Sequence, residues 1–167
     1  MSELDWSQYI STLQTSVEQV DAQWLSIYPY SGTSFSEDVS ELTQKISLAC
    51  GAVVEDDKLM LRGSTSVVID VCADGQQRFT RAVNGLPHNK ISEKNLATAI
   101  LHPASSEPDL VVIFGDPTQL PPSLVWELAY SELVYLNTQW PHCNGEDIDL
   151  AINDFQRRDR RFGGVDS

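Results

Sequence analysis

Four arginines lie within five positions near the end of the sequence, in the stretch RRDRRFGG, at Arg157, Arg158, Arg160 and Arg161. The whole chain is acidic, with a formal net charge of -13. Arginines at the end of a helix oppose the negative end of its dipole, each contributing about 0.3 to 1 kcal/mol. Alternatively, a guanidinium beside a flexible glycine can give bidentate and backbone N–H contacts to one phosphate. We favour the dipole interpretation for the first three arginines and an anion site for Arg161.

Three carboxylates are further candidates for chemistry. Glu132 is either a surface carboxylate on a short helix or a ligand beside a metal, and its spacing alone leaves both interpretations open. Asp70 and Asp74 follow a predicted strand, at the end where α/β proteins often place their sites. Entry into a helix explains Asp74 equally well, and nothing nearby supplies a metal partner for it.

The histidines and cysteines show no ligand spacing. His88, His102 and His142 are far apart in the sequence and are predicted to be loop residues. Three widely separated cysteines form neither a CxxC pair nor a zinc motif, so we predict buried or incidental thiols at Cys50, Cys72 and Cys143.

Composition limits the class of protein. A chain of 167 residues, 41% hydrophobic and 21% charged, suits one globular domain. A pI near 4.4 argues against binding to nucleic acid, which needs basic surface. No apolar run approaches the ~20 residues of a spanning helix, and MSELDWSQ does not resemble a signal peptide. We therefore expect a cytoplasmic protein.

Helical and strand patterns alternate in the first half. An apolar stripe predicts an amphipathic helix from about Leu4 to Asp21, and AQWLSIY then predicts a buried strand. Ser34 and Glu37 form a capping box for a second helix. GAVVEDDKLMLRG predicts a weak strand or a loop, and TSVVIDVCA a parallel strand covered on both faces.

The second half repeats this alternation. Four apolar residues predict the buried face of the next helix: Phe79, Ala82, Val83 and Leu86. Ser92 caps another helix, LVVIF forms a central strand, and SLVWELAYSEL and VYL form a short helix and a strand. Asn144 begins a final helix that Gly163 can end. These patterns predict one α/β domain with a largely parallel central sheet flanked by helices.

The segment from Pro108 to Gly164 carries a resemblance to a known family. PDLVVIFG, LVWELAYSELVYLNTQWPH and DIDLAINDFQRRDRRFGG resemble, in order and spacing, the C-terminal third of cis-prenyltransferases, the undecaprenyl and dehydrodolichyl diphosphate synthases. The resemblance implies a cis-prenyltransferase-like domain over residues 1–167, with a divergent part at 1–107 and a family-like segment at 108–164. It also implies condensation of isopentenyl diphosphate onto an allylic diphosphate with Mg²⁺, in a dimeric enzyme.

The sequence departs from the family at the substrate sites. The family's first strand and its Asp-Gly-Asn-x-Arg loop, which holds the allylic diphosphate and the metal, have no counterpart here. Two family arginines that bind isopentenyl diphosphate are replaced by Ile113 and Gln119, and a nearby serine by Pro121. Because unpaired phosphate charge is costly in a closed site, we expect the chain alone to be inactive.

Other positions match the family. Glu132 occupies the place of a carboxylate near the metal, and Arg161, Phe162 and Gly163 spell the C-terminal Arg-x-Gly motif. In heteromeric enzymes of the Nogo-B receptor type, a non-catalytic subunit lends this motif to its partner's diphosphate site. The resemblance therefore implies an accessory subunit that forms a heterodimer with a catalytic homologue. In this complex the Mg²⁺ is expected to be held mainly by the partner, and the chain is expected to be peripheral to the membrane through that partner. A divergent stand-alone enzyme and an orphaned α/β binding module remain alternatives.

The resemblance also places the dimer interface in the tryptophan helix and the strand that follows it. The expected interface residues are Trp126, Tyr130, Glu132, Leu133 and Tyr135. Trp140 is predicted to lie either in this interface or in the core.

Overall fold

The computed structural model describes residues 5–29 and 39–158, which form helices and strands in alternation. The helices are α1 (Trp6–Glu18), α2 (Val39–Cys50), α3 (Gly75–Gly85), α4 (Glu93–Leu101), α5 (Glu127–Tyr130) and α6 (Gly145–Arg157). The strands are β1 (Trp24–Ile27), β2 (Val53–Glu55), β3 (Lys58–Leu61), β4 (Ser66–Ile69), β5 (Leu110–Phe114) and β6 (Glu132–Leu136). Two short 3₁₀ helices cover His88–Lys90 and Trp140–His142. The predicted α/β architecture, with strands flanked by helices, is confirmed.

The strands form two sheets. One has the order β1-β4-β3-β2, and the other pairs β5 with β6. The pairs β1–β4 and β5–β6 are parallel, whereas β3 runs antiparallel to both β2 and β4. Strand β5 was predicted to be central, but in the described structure it pairs only with β6. Burial of β4 is as predicted, since Val67, Val68 and Ile69 are buried.

The predicted weak strand or loop is a β-hairpin. Strands β2 and β3 are joined by Asp56 and Asp57, whose φ angles are 48° and 63°. A tight hairpin turn needs two residues in the left-handed region, and aspartate tolerates it better than most residues. The turn therefore depends on the backbone conformation of two aspartates, which the hydrophobic pattern does not reveal.

The main core lies between α1, α2, α6 and the four-stranded sheet. Its members include Ile46, Leu59, Val67 and Ile69, none of them accessible to solvent. Trp140 packs beside this core, with its ring centroid 5.2 Å from that of Trp6. The core interpretation of Trp140 therefore fits its contacts.

Helix α1 is shorter than the predicted range of Leu4 to Asp21. The Asp5 carboxylate caps it by accepting a hydrogen bond from the Gln8 N–H at 3.1 Å. It ends at Glu18, and Asp21 has a φ of 55°, outside helical geometry. Val20, an apolar residue within the predicted range, is 39% exposed. The break lets the chain turn into β1.

Helix α6 begins as predicted and ends earlier. Asn144 and Asp147 form a reciprocal capping box, with N–H···O distances of 3.1 and 3.0 Å. Helix α6 ends at Arg157, so Gly163 does not terminate it, and Gly163 lies outside the described residues. Ser92 caps α4 as predicted, while the capping box at Ser34 and Glu37 lies outside the described residues.

The buried face of α3 differs from the prediction. Ala82 is buried as predicted, but Phe79 is 39% exposed, and Gly75 and Arg78 are buried in addition. The buried face is shifted because Gly75 allows close packing and Arg78 has a buried partner. A rule based on apolar spacing places a charged residue on the outside, so it misplaces this face.

Candidate functional site

A buried ion pair joins α3 to α5. Arg78 Nη2 lies 2.6 Å from Glu127 Oε1, and the two side chains are only 6% and 3% exposed. The Tyr28 hydroxyl donates to the same carboxylate oxygen at 3.1 Å, and the guanidinium lies 4.9 Å from the centroid of the Tyr28 ring. Tyr28 directly follows β1. The pair therefore connects α3, α5 and the carboxyl end of β1.

Backbone groups add further hydrogen bonds to this pair, although the buried Arg78 Nε has no hydrogen-bond partner among the described residues. Arg78 Nη1 donates to the Ser123 carbonyl at 2.5 Å, and the Val125 N–H donates to Glu127 Oε2 at 3.0 Å. Burial raises the pKa of Glu127, but the hydrogen bond and charge of Arg78 outweigh it and leave this pKa below its usual value. Both residues are therefore charged in the folded protein near neutral pH.

A small cavity of about 150 Å³ lies beside Arg78, at the carboxyl end of β4. Its charged lining mixes both signs: Lys58, Arg78, Arg81, Asp57, Asp70 and Asp74. Burial lowers the pKa of Lys58, whose ammonium donates to the His102 carbonyl at 2.5 Å. Asp74 caps α3 by accepting from the Gln77 N–H at 2.8 Å, which supports its helix-entry interpretation. The three basic and three acidic side chains are equal in number, so the lining carries no net formal charge that would favour a diphosphate.

The two positions that replace family arginines lie in different environments. Ile113 in β5 is 4% exposed, and its side chain belongs to the interior. Gln119 is exposed in the loop after β5, where its N–H donates to the Asp116 carbonyl at 3.3 Å. Pro121 follows in the same loop and is partly buried.

Glu132 begins β6 and contacts an arginine of the C-terminal cluster. Arg158 Nη1 lies 3.0 Å from Glu132 Oε1, and Nη2 of the same guanidinium also pairs with Asp154. Hydrogen bonds from Arg158 to both carboxylates raise the pKa of this guanidinium. Arg157 lies in the last turn of α6, as the dipole interpretation requires. Arg160, Arg161, Phe162 and Gly163 lie outside the described residues, so their predicted roles stay predictions.

The expected interface residues share one stretch but differ in exposure. Tyr130 is 66% exposed, and its hydroxyl donates to Glu93 at 3.0 Å. The Trp126 indole N–H donates to Glu107 at 3.1 Å. Leu133 and Tyr135 are partly buried in β6. Nothing in these contacts identifies a partner, and the interface stays a prediction.

Metal ligands do not cluster in the described residues. Across residues 5–29 and 39–158, no group of three or more histidine, cysteine or acidic side chains is placed to hold an ion. His88, His102 and His142 are exposed, and the predicted metal-side carboxylate Glu132 is held by an arginine. These residues do not by themselves fit a Mg²⁺ ion. Within the same residues, no helix is both long and apolar enough to span a bilayer.

Sequence reasoning missed Arg78 and Glu127. Arg78 stands on what reads as the polar face of a helix, and Glu127 lies beside a tryptophan in a family-like stretch. A weak signal was present in Gly75, three residues before Arg78, because a helical glycine often marks close packing. No local pattern pairs residues 78 and 127.

Three comparisons with known proteins agree with one another. The family model described as "Putative undecaprenyl diphosphate synthase" matches residues 32–163. An isoprenyl transferase of Neisseria meningitidis is 31% identical over 115 residues, which cover 66% of this chain and 46% of that protein. One from Clostridium acetobutylicum is 31% identical over 131 residues, covering 70% and 51% of the two proteins. The chain thus spans about half the length of these relatives.

The fold comparison finds a similar fold in a solved structure. A "probable undecaprenyl diphosphate synthase" from Campylobacter jejuni superposes with a TM-score of 0.56 at 19% identity, covering 94% of this chain and 70% of that structure. At this identity the match concerns the fold alone. The family model, however, covers most of the chain, including residues before Pro108. The chain belongs to the cis-prenyltransferase family of which undecaprenyl diphosphate synthase is a member.

Proposed function

We propose that this chain is a non-catalytic subunit of a heteromeric cis-prenyltransferase, which makes polyprenyl diphosphate from isopentenyl diphosphate and an allylic diphosphate. The observation that carries the proposal is the burial of Ile113, at 4% exposure, where the family has a substrate-binding arginine. With Gln119 at the second arginine position, this part of the chain supplies no guanidinium to a diphosphate. A partner must then supply those charges.

The C-terminal segment is the part that this subunit contributes. Arg158 contacts Glu132 on β6 and Asp154 on α6, so the chain is anchored where it leaves the last helix. Arg161, Phe162 and Gly163 follow three to five residues later in the sequence. We propose that they contact the isopentenyl diphosphate in the partner's site through one guanidinium and backbone N–H groups.

The partner is a catalytic homologue that carries the aspartate loop and both arginines. The proposed contact surface is the stretch with Trp126, Tyr130, Leu133 and Tyr135, where an exposed aromatic residue is available for burial. Glu132 is proposed to lie near this surface. The described residues offer no cluster for Mg²⁺, so the proposed metal is held mainly by the partner.

Reconstitution tests this proposal. The purified chain, a catalytic homologue and their mixture are each incubated with Mg²⁺, farnesyl diphosphate and labelled isopentenyl diphosphate. We expect no labelled product from the chain alone, and more product from the mixture than from the homologue alone. Size-exclusion chromatography of the mixture should show one complex.

A second candidate function is a stand-alone prenyl-diphosphate enzyme. The names of the relatives favour it, since the Neisseria and Clostridium proteins are both called isoprenyl transferases. Labelled product from the chain alone would select this candidate. An inactive chain that joins no homologue would instead be an orphaned binding module of the same fold.

A further inference from the structure

The connection between β5 and β6, residues 115–130, is held to the domain by polar contacts. We call it the connecting segment. Its buried residues in the described structure are Ser123 and Glu127, at 2% and 3% exposure, and both are polar. Among its apolar side chains, Leu120 and Tyr130 are 51% and 66% exposed, and Leu124, Val125 and Trp126 are partly buried. Apolar packing therefore adds to the polar contacts, but no apolar side chain of the segment is fully buried in the described structure.

Helix α3 provides the opposing surface. Arg78 binds both buried residues of the segment, through the Ser123 carbonyl at 2.5 Å and the Glu127 carboxylate at 2.6 Å. The Gly75 N–H donates to the Pro122 carbonyl at 2.9 Å. Gly75 and Arg78 are three residues apart, so they lie on one face of the helix. This face is the one that the apolar pattern failed to predict.

Gly75 is required by the closeness of this packing. A Cβ atom at this position would lie 2.5 Å from the Pro122 carbonyl oxygen and 2.5 Å from a methyl carbon of Val125. Real Cβ atoms do not approach backbone oxygen so closely, so any side chain here must move the segment. Gly85, at the other end of α3, has open space within 4 Å of the same position.

These contacts are separate from the main core. The buried members of that core come from α1, α2, β3, β4, α6 and the residues that adjoin them, and the described α3 and connecting segment contribute none. Breaking the contacts between α3 and the segment should thus release the segment while the core stays folded.

We propose that Gly75 and Arg78 on α3, with Glu127, form a polar latch whose closure sets the affinity for the partner subunit. The latch holds the connecting segment so that Trp126 and Tyr130 are presented on one surface. These are positioning residues, because they act on the partner through the segment. The inference rests on the proposed function, in which this segment contacts a catalytic homologue.

The first test uses Gly75→Ala, with Gly85→Ala as its matched control. Amide hydrogen exchange is measured on each purified protein without a partner. We expect exchange at Leu124 and Val125 to be about tenfold faster or more in Gly75→Ala, with amides of β3 and β4 unchanged. Gly85→Ala should match the wild type. Unchanged exchange at 124–125, or faster exchange throughout the core, would overturn the latch and leave the proposed function standing.

The second test measures the complex with the catalytic homologue. We expect Gly75→Ala to raise the Kd for that partner about tenfold, while turnover at saturating partner stays near the wild-type value. Arg78→Lys should also raise this Kd, because an ammonium lacks the planar fork with which the guanidinium binds the Ser123 carbonyl and Glu127 together. An unchanged Kd despite faster exchange would overturn the partner role. If the wild type binds no homologue, the proposed function fails together with this role, whereas the exchange data still decide whether the latch exists.

Discussion

Replacing Ile113 with arginine tests why this chain differs from its catalytic relatives. Ile113 is 4% exposed in β5, so Ile113→Arg removes a buried side chain worth about 1.5 to 3 kcal/mol. It also brings a guanidinium into the interior, where the desolvation penalty is several kcal/mol per ion. The sum is about 5 kcal/mol or more, against a typical total stability of about 5 to 15 kcal/mol. We expect Ile113→Arg to be largely unfolded or strongly destabilised.

Urea denaturation followed by circular dichroism measures this change, and Gln119→Arg is the control. Gln119 is exposed, so the control should shift the free energy of unfolding by no more than about 0.5 kcal/mol. Calorimetric titration with isopentenyl diphosphate is carried out on each folded variant. An Ile113→Arg protein with wild-type stability and new affinity for the diphosphate would refute the reasoning, because residue 113 would then face a ligand site rather than the interior.

Three further predictions concern single side chains. Arg161→Ala should lower turnover of the heteromeric complex roughly a hundredfold or more, whereas Arg157→Ala should lower it far less. Dimer content is checked by size-exclusion chromatography. Equal, small effects on turnover would return both arginines to the helix-dipole interpretation. Because the pKa of Glu127 is lowered by Arg78, its ion pair should stabilise the fold above about pH 4.3, the unfolded value, and this stability should fade as the pH drops through the lower folded pKa. Urea midpoints from pH 7 to 3 test this, and Glu127→Gln should be less stable at pH 7 and show a weaker dependence on pH. Burial raises the pKa of the Cys143 thiol to about 11, so its alkylation by iodoacetamide at pH 8 should be roughly a hundredfold slower than that of free cysteine; an equal rate in peptide mass spectra would contradict this.

Several elements could be predicted because they depend on neighbouring residues. The caps at Asn144 and Ser92 use side chains within three positions of the backbone groups they bind. Burial of β4 follows from a continuous β-branched run. The ends of helices were less accurate, since α1 stops at Glu18 and α6 at Arg157, before the residues expected to terminate them. Fraying and the geometry of the adjoining loop decide where a helix ends, so the spacing of apolar residues predicts helix ends poorly.

The candidate site could be predicted only in part. Ile113 and Gln119 were recognised by position within a family pattern, and the structure adds that one is buried and the other exposed. The Arg161 motif was also recognised from the sequence. Arg161 lies outside the described residues, so its role at a diphosphate site stays a prediction.

The amino-acid sequence alone determined the general alternation of helices and strands, the caps at Ser92 and Asn144, and the family, because each depends on residues close together or on a pattern that relatives share. Only the tertiary structure decided that Arg78 faces inward, since its partner Glu127 is 49 positions away. A buried guanidinium is favourable only where a carboxylate and carbonyl oxygens meet it, and that meeting is a property of the packed chain. The division of the strands into two sheets was decided in the same way, since β5 pairs with a strand that begins 18 residues after its own end.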